Sequence, residues 1–139
     1  VIDWKRIYRK ALNHDVPESL MGDVISTTKN LIPQAKEAFE TVETELVDNH
    51  LLAALPEEYK PVFREIVMDG KDETTEGLIL SAADQIDALI ECLQEIQLAN
   101  TEPFTEKYVM ILNKIEQNPL KSVRYFLDKV LPDLGILPQ

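Results

Sequence analysis

Apolar residues recur along most of the chain with the spacing of α-helices rather than that of β-strands. Near the start they follow one another three or four positions apart, at Trp4, Ile7, Tyr8, Ala11 and Leu12. This spacing predicts one apolar helix face, with the rest of the helix occupied largely by Lys5, Arg6, Arg9 and Lys10. Asp3 is a suitable N-cap. Pro17 disfavours a helical Val16, so the first helix is predicted over about 3–15, with an end or a kink there.

The same periodicity predicts further helices downstream, and no segment has the pattern of a strand. A short helical turn is expected over 18–21, then a polar loop to residue 30, then helices over about 33–55, 56–70, 75–99, 104–117 and 120–130. The segment "GKDETTEG" (70–77) is predicted to be a solvated connector. The longest helix carries a core stripe of Leu78, Ile79, Ala82, Ile86, Leu89, Ile90, Leu93 and Ile96. We therefore expect one all-α domain over 1–139, a bundle of six to seven helices.

Composition and charge narrow the classes of function. The chain has 139 residues, is 45% hydrophobic and carries a net charge of -11. Such an acidic chain repels polyanions, so binding to DNA or RNA is not expected, whereas a small phosphate compound remains possible beside a cation. No apolar run is long enough for a membrane span. The single cysteine, Cys92, lies in an apolar helical run and is expected to be a buried thiol in a reducing compartment, the cytoplasm.

The stretch "ALNHDVPESLMGD" (11–23) holds the first candidate for chemistry, the pair His14-Asp15. At a helix end both side chains can turn toward one ion, and an imidazole with a carboxylate suits Zn, Mn, Co or Fe. The alternative is a histidine placed favourably at a helix C-terminus. Asp84 is the second candidate, because a carboxylate within a largely apolar helix is costly unless it is paired or bound to a cation. It could equally lie on a polar edge with Asp87 and Glu91.

Glu18 follows the predicted kink and could position or deprotonate a water beside a metal ion. Its alternative role is to favour the positive end of a helix. Asp23 follows a glycine in a turn, where aspartate is common for local reasons. His50, the other histidine, is expected to have a structural or solvent-facing role. The chain contains no Walker loop, GxGxxG, GxSxG or CxxC motif, which argues against P-loop, dinucleotide-binding, serine-hydrolase and zinc-ribbon functions.

Three segments together resemble the HD-domain phosphohydrolases, and within them the bacterial 5'-deoxynucleotidases of the YfbR-like group. They are "LNHDVPESLMGDV", "ILSAADQIDALIECLQEI" and "SVRYFLDKVLPD". The resemblance implies an HD-type all-α fold, a divalent metal ion (Mn, Co, Zn or Mg), a homodimer, and hydrolysis of deoxynucleoside 5'-monophosphates. It assigns His14, Asp15 and Asp84 to the metal and Glu18 to activation of water. It assigns Asp15, Asp23 and Ser26 to the substrate, and Ser26 lies in the polar turn 24–27 that follows Asp23.

The chain departs from the family pattern ahead of its HD pair. The family has an earlier metal-binding histidine and, before that, an Arg-Trp substrate contact, whereas the thirteen residues before His14 contain no histidine. Trp4 belongs to the helix that leads into the HD pair and is not that contact. We therefore expect an HD domain that is incomplete at its N-terminus. Two alternatives remain: a non-catalytic helical HD-like module that binds a protein partner, and an HD enzyme acting on a larger nucleotide such as an alarmone or a triphosphate.

Overall fold

The computed structural model is helical in the part of the chain that it describes, namely residues 1–22, 24, 29 and 32–134, where it has no strand. The all-α prediction is confirmed. Numbered in chain order, the described α-helices are α1 (Trp4–Asn13), α2 (Val16–Met21), α3 (Pro33–Leu46), α4 (Lys60–Met68), α5 (Thr75–Gln97), α6 (Thr101–Ile115) and α7 (Lys121–Tyr125). Single π-helical turns continue α3 over Val47–Leu51 and α7 over Phe126–Val130. Short 3-10 turns follow at Leu52–Ala54 and Pro132–Leu134.

Capping residues and prolines fix several helix ends. Asp3 caps α1 as predicted, because its side chain accepts a hydrogen bond from the Arg6 N–H at 3.1 Å. Helix α3 begins at Pro33, also as predicted. Helix α4 begins at Lys60 and not near Pro56, so that prediction was four residues early. Pro61 lies in the first turn of α4, where backbone N–H groups have no partner within the helix, so the N–H that proline lacks is not needed.

The chain divides into two compact units, of which the first comprises Val1–Gly77. In this unit α2 packs against α3, and α1 packs against α4. Its fully buried core is small and consists of Val47, Leu52 and Val67. The partly buried residues that pack on this core are Val16, Leu51, Leu55 and Met68. Because Val16 directly follows the His14-Asp15 pair, its packing holds that pair at a fixed place on the unit.

The second unit begins at Leu78 and has the larger core. Its buried residues come from α5, α6 and the C-terminal helical turns: Ala82, Leu89, Cys92, Leu93, Tyr108, Ile115, Val123 and Leu131. Ile86 and Ile96 pack against them, so the stripe predicted for the longest helix does face a core. Full burial of each leucine, isoleucine or valine side chain in this core contributes about 1.5–3 kcal/mol. Cys92 is buried and free of any disulfide, as predicted.

The apolar side of α1 is largely exposed. Trp4 and Tyr8 are each 61% exposed and Leu12 is 81% exposed, so the apolar stripe of this helix faces outward within the described structure. The rings of Trp4 and Tyr8 lie 6.3 Å apart on that outer face. The residue of α1 that is buried is Lys10, one of those assigned to the polar side.

Lys10 is buried because the 69–77 segment satisfies its charge. Its ammonium donates to the carbonyl oxygen of Asp69 and lies 2.8 Å from a carboxylate oxygen of Asp72. Glu76 is also buried and accepts a hydrogen bond from the Asp3 N–H at 2.9 Å. The segment that was predicted to be a solvated connector is thus bound to α1 by hydrogen bonds and an ion pair. Residues 75–77 also form the start of α5.

Candidate active site

A two-residue break between α1 and α2 carries the HD pair. Helix α1 ends at Asn13, and the His14 N–H still donates to the Lys10 carbonyl at 3.0 Å. Asp15 is the N-cap residue of α2, and Pro17 lies in the first turn of that helix. Proline is compatible with a first turn and incompatible with continuation of α1 through it. The predicted helix end is confirmed, and it places His14 and Asp15 at the junction of two helices.

The two side chains of the HD pair converge. His14 Nε2 lies 3.1 Å from Asp15 Oδ1, and His14 Nδ1 lies 2.9 Å from the Ala11 carbonyl oxygen. The imidazole is mostly buried, with 15% of its side chain exposed, whereas Asp15 remains 67% exposed. A carbonyl oxygen can only accept, so Nδ1 carries the proton in this contact. The Ala11 carbonyl therefore fixes the orientation of the ring and directs Nε2 toward the carboxylate.

This arrangement fits a cation. A neutral imidazole protonated at Nδ1 presents a lone pair at Nε2, and a lone pair facing a carboxylate oxygen is repelled unless a proton or a cation lies between them. A backbone carbonyl bound to the far nitrogen is also the usual support of a metal-binding histidine. Within the described ranges, no group of three or more His, Cys, Asp or Glu side chains is arranged to hold a metal ion. The described residues therefore bring together two suitable donors, His14 and Asp15.

Glu18 lies in the first turn of α2, close in sequence to the HD pair, with 47% of its side chain exposed. Its Oε1 atom lies 3.2 Å from the Lys29 ammonium. The same ammonium lies 3.0 Å from Oε1 of Glu43, on α3. Burial of Lys29 would by itself lower the pKa of its ammonium, but the hydrogen bonds to Glu43 and Glu18 and their negative charges raise the pKa above its ordinary value. Lys29 is accordingly a cation held between two carboxylates.

The remaining predicted site residues have different positions. Asp84 lies on α5 in the second unit and has an exposed side chain. Asp23 and Ser26 lie outside the described residues. His50 is exposed in the π-helical turn that follows α3, which agrees with a solvent-facing role. Among the predicted site residues, the structure thus brings His14 and Asp15 into direct contact and places Glu18 one turn beyond them.

Sequence reasoning missed Lys29 and Glu43. Lys29 lies in a polar stretch that matches no motif, and nothing in the sequence distinguishes Glu43 from the other charged residues of α3. The contact of Lys29 with Glu18 spans 11 positions, and its contact with Glu43 spans 14 positions. No spacing rule of a single helix connects positions on separate elements, so the pattern contained no signal for this cluster.

The fold is that of an HD-domain phosphohydrolase. The crystal structure of an HD-domain phosphohydrolase from Listeria innocua is similar to this chain with a TM-score of 0.84 and 37% sequence identity. The similarity covers 96% of this chain and 64% of that one. The chain belongs to the YfbR-like family, since the family model described as 5'-deoxynucleotidase YfbR-like matches residues 1–134. HD-domain phosphohydrolases generally depend on a divalent metal ion.

Curated relatives give the same family. A 5'-deoxynucleotidase of Shewanella oneidensis is 28% identical over 126 residues, which make up 91% of this chain and 64% of that protein. A 5'-deoxynucleotidase of Vibrio vulnificus is 29% identical over 135 residues, covering 97% of this chain and 69% of that protein. The chain thus spans about two thirds of the length of these relatives. No helix among the described residues has the length and apolarity needed to cross a bilayer.

Proposed function

We propose that this protein is a divalent-metal-dependent phosphohydrolase that converts deoxynucleoside 5'-monophosphates into nucleosides and phosphate. The observation that carries the proposal is the convergence of His14 Nε2 and Asp15 Oδ1 at the helix junction, 3.1 Å apart. Membership of the YfbR-like family and the names of the relatives support the choice of substrate. The acidic net charge agrees with a small substrate rather than a nucleic acid polymer.

His14, Asp15 and Asp84 would hold the metal ion, which we propose to be Mn, Co, Zn or Mg. When bound, the ion supplies a Lewis acid that neutralises phosphate charge and makes water easier to deprotonate. The Ala11 carbonyl keeps the His14 ring in the orientation that presents Nε2. Asp84 is proposed as a donor from the family resemblance, and its exposed side chain on α5 is compatible with that role.

Glu18 would act as the general base. It takes a proton from the attacking water while a bond forms between the water oxygen and phosphorus. The bond between phosphorus and the nucleoside 5'-oxygen breaks, and the Glu18 proton is available to neutralise the departing 5'-oxygen. The partly exposed carboxylate of Glu18 can reach water, which this step requires. Asp15, together with Asp23 and Ser26, is proposed to contact the substrate.

The test is release of inorganic phosphate from deoxynucleoside 5'-monophosphates with added Mn or Co. We expect metal-dependent turnover that falls about a hundredfold or more in Glu18→Gln, since a general base contributes about 10²–10⁴-fold. We expect a loss of at least about tenfold in Asp84→Ala, since loss of a residue that merely supports a metal ligand already costs about 10–100-fold. Asp87→Ala is the matched control, because Asp87 is also an exposed aspartate on α5. Turnover that survives Asp84→Ala unchanged, or that falls equally in Asp87→Ala, would contradict the assignment of Asp84.

A homodimer is proposed as well. The exposed stripe of Trp4, Tyr8 and Leu12 supports a contact with another protein surface, because apolar side chains grouped on one exposed face mark interaction sites. The same stripe favours the second candidate function, a non-catalytic HD-like module that binds a partner. Sedimentation velocity measures whether the unaltered protein is a dimer or a monomer. If the exposed stripe forms the dimer contact, the double variant Trp4→Ser/Tyr8→Ser should sediment as a monomer. An active dimer supports the enzyme, and an inactive protein without metal uptake supports the module.

We also propose that the protein acts in the cytoplasm. Cys92 is a free, buried thiol, and a reducing compartment keeps such a thiol reduced. Fractionation of cells that produce the protein tests this location.

A further inference from the structure

Lys29 joins two acidic side chains of different helices in the first unit. Its ammonium lies 3.2 Å from Glu18 Oε1 on α2 and 3.0 Å from Glu43 Oε1 on α3. Lys29 and Glu43 are each 20% exposed, whereas Glu18 is 47% exposed. The inner part of this cluster is therefore sheltered, and its outermost member is the residue proposed as the general base.

The geometry of the cluster restricts Glu18. An ammonium and a carboxylate form a charge-assisted hydrogen bond, which holds the carboxylate more firmly than contact with water does. Two carboxylates that share one ammonium would repel each other without it, so Lys29 is needed by both. Glu43 lies on a longer helix than Glu18 and is less exposed, so it is the firmer of the two anchors for the ammonium.

We propose that Lys29 and Glu43 are positioning residues that orient Glu18 for proton abstraction, which rests on the proposed phosphohydrolase function. The Lys29 ammonium donates a hydrogen bond to Oε1 of Glu18. In this proposal Oε2 of Glu18 faces the attacking water. Glu43 holds the Lys29 ammonium at this place. Neither residue touches the substrate. Their contribution is to the orientation of a group that acts only in the chemical step, so it should appear in kcat and not in KM.

Direct binding of the substrate phosphate by Lys29 is the main alternative, and it predicts the opposite kinetics. A lysine that binds phosphate in the ground state and the transition state alike raises KM when it is removed and leaves kcat unchanged. It would also make Glu43 a competitor for the ammonium, so removal of Glu43 would strengthen substrate binding.

The experiment measures kcat and KM for phosphate release from a deoxynucleoside 5'-monophosphate with Mn or Co. The variants are Lys29→Met, Lys29→Arg and Glu43→Met. Matched controls are Lys36→Met and Glu40→Met, which break an exposed ion pair of α3 with a separation of 3.7 Å. Since a general base contributes about 10²–10⁴-fold, loss of its orientation is expected to lower kcat about tenfold in Lys29→Met and Glu43→Met, with KM changed less than about twofold. Lys29→Arg should recover most of kcat, because a guanidinium can also bridge two carboxylates.

A stability readout accompanies the kinetics. Thermal unfolding of Lys29→Met, Glu43→Met and the double variant tests whether the two residues act together, and we expect non-additive shifts of the melting temperature. If Lys29→Met does not fold, Glu43→Met and Lys29→Arg carry the same test.

The outcomes separate this proposal from the proposed function. Turnover that is lost in Glu18→Gln but unchanged in Glu43→Met and Lys29→Met would overturn the positioning role alone. A raised KM with unchanged kcat in Lys29→Met would also overturn it, in favour of phosphate binding. Absence of any metal-dependent phosphate release from the unaltered protein would overturn the proposed function and the positioning role together. Losses of kcat as large in the Lys36 and Glu40 controls would show a general effect of charge and overturn the positioning role.

Discussion

The buried Lys10 offers a sharp test of the energetics of the first unit. Its side chain is only 7% exposed and lies 2.8 Å from Asp72, which is 27% exposed. Replacement by methionine keeps most of the length and apolar volume of the side chain and removes the charge. The change therefore leaves the Asp72 carboxylate and the Asp69 carbonyl without their shared donor, while it preserves the packing of α1 against α4.

The expected loss follows from the contacts that remain. Loss of one partner of a fully buried ion pair costs about 3–5 kcal/mol, and a charge-assisted hydrogen bond contributes about 1.5–3 kcal/mol. Asp72 keeps part of its solvation, an Arg6 guanidinium at 3.4 Å and a hydrogen bond from Thr74. We therefore expect Lys10→Met to lower the free energy of unfolding by about 2 kcal/mol, which is below the cost for a fully buried pair and within the range of one charge-assisted hydrogen bond. For a chain of this size that corresponds to a melting temperature about 6–10 °C lower.

The pH dependence gives a second check on the same pair. Burial alone would raise the pKa of Asp72, but hydrogen bonds from Lys10 and Thr74 lower the pKa below its ordinary value. A carboxylate with a lowered pKa in the folded state contributes stability above its unfolded pKa, and this contribution is lost as the pH falls through the folded pKa. The gap between the unaltered protein and Lys10→Met should thus be full at neutral pH and narrow in acid below about pH 4.

The assay is thermal unfolding followed by circular dichroism, with Lys5→Met as the control because Lys5 is exposed on the same helix. If Lys10→Met and Lys5→Met unfold at the same temperature at neutral pH, the reasoning about the buried pair is refuted. A gap that does not narrow in acid would show that the loss arises from packing and not from the ion pair.

Two further predictions concern the second unit. Ala99 follows α5 with φ at +69°, a left-handed conformation that glycine adopts without strain. Its N–H donates to the Ile96 carbonyl, and the Asn100 N–H donates to the Glu95 carbonyl, as at a helix C-terminus. Ala99→Gly should therefore raise the free energy of unfolding by about 1 kcal/mol. Urea titration checks this, and Ala88→Gly within α5 should show a loss of similar size; a destabilised Ala99→Gly would contradict the argument. Burial raises the pKa of the Cys92 thiol, so iodoacetamide should label it only when the protein is unfolded. Rapid labelling of the folded protein, followed by mass spectrometry, would show that the thiol is accessible.

Local sequence was sufficient to predict structure where the apolar stripe of a helix is the face that packs into the core. The stripe of α5 predicted the helix and five residues that lie in the core or pack on it, namely Ala82, Ile86, Leu89, Leu93 and Ile96. Side chains three and four apart share a face, and that face has partners from α6 and the C-terminal turns. Pro17 was likewise sufficient to predict the break that carries the HD pair. The candidate ligands His14 and Asp15 are adjacent in sequence, so their convergence depends on a local turn alone.

Only the tertiary structure decided which face of α1 is buried and which charges surround Glu18. Periodicity tells which residues share a face of a helix, but it does not tell which face receives a partner. Lys10 is buried because the Asp69 carbonyl and the Asp72 carboxylate, some sixty positions away, compensate the cost of removing its charge from water. Lys29 meets Glu18 and Glu43 because the packing of α2 on α3 brings together charged residues that no spacing along one helix relates.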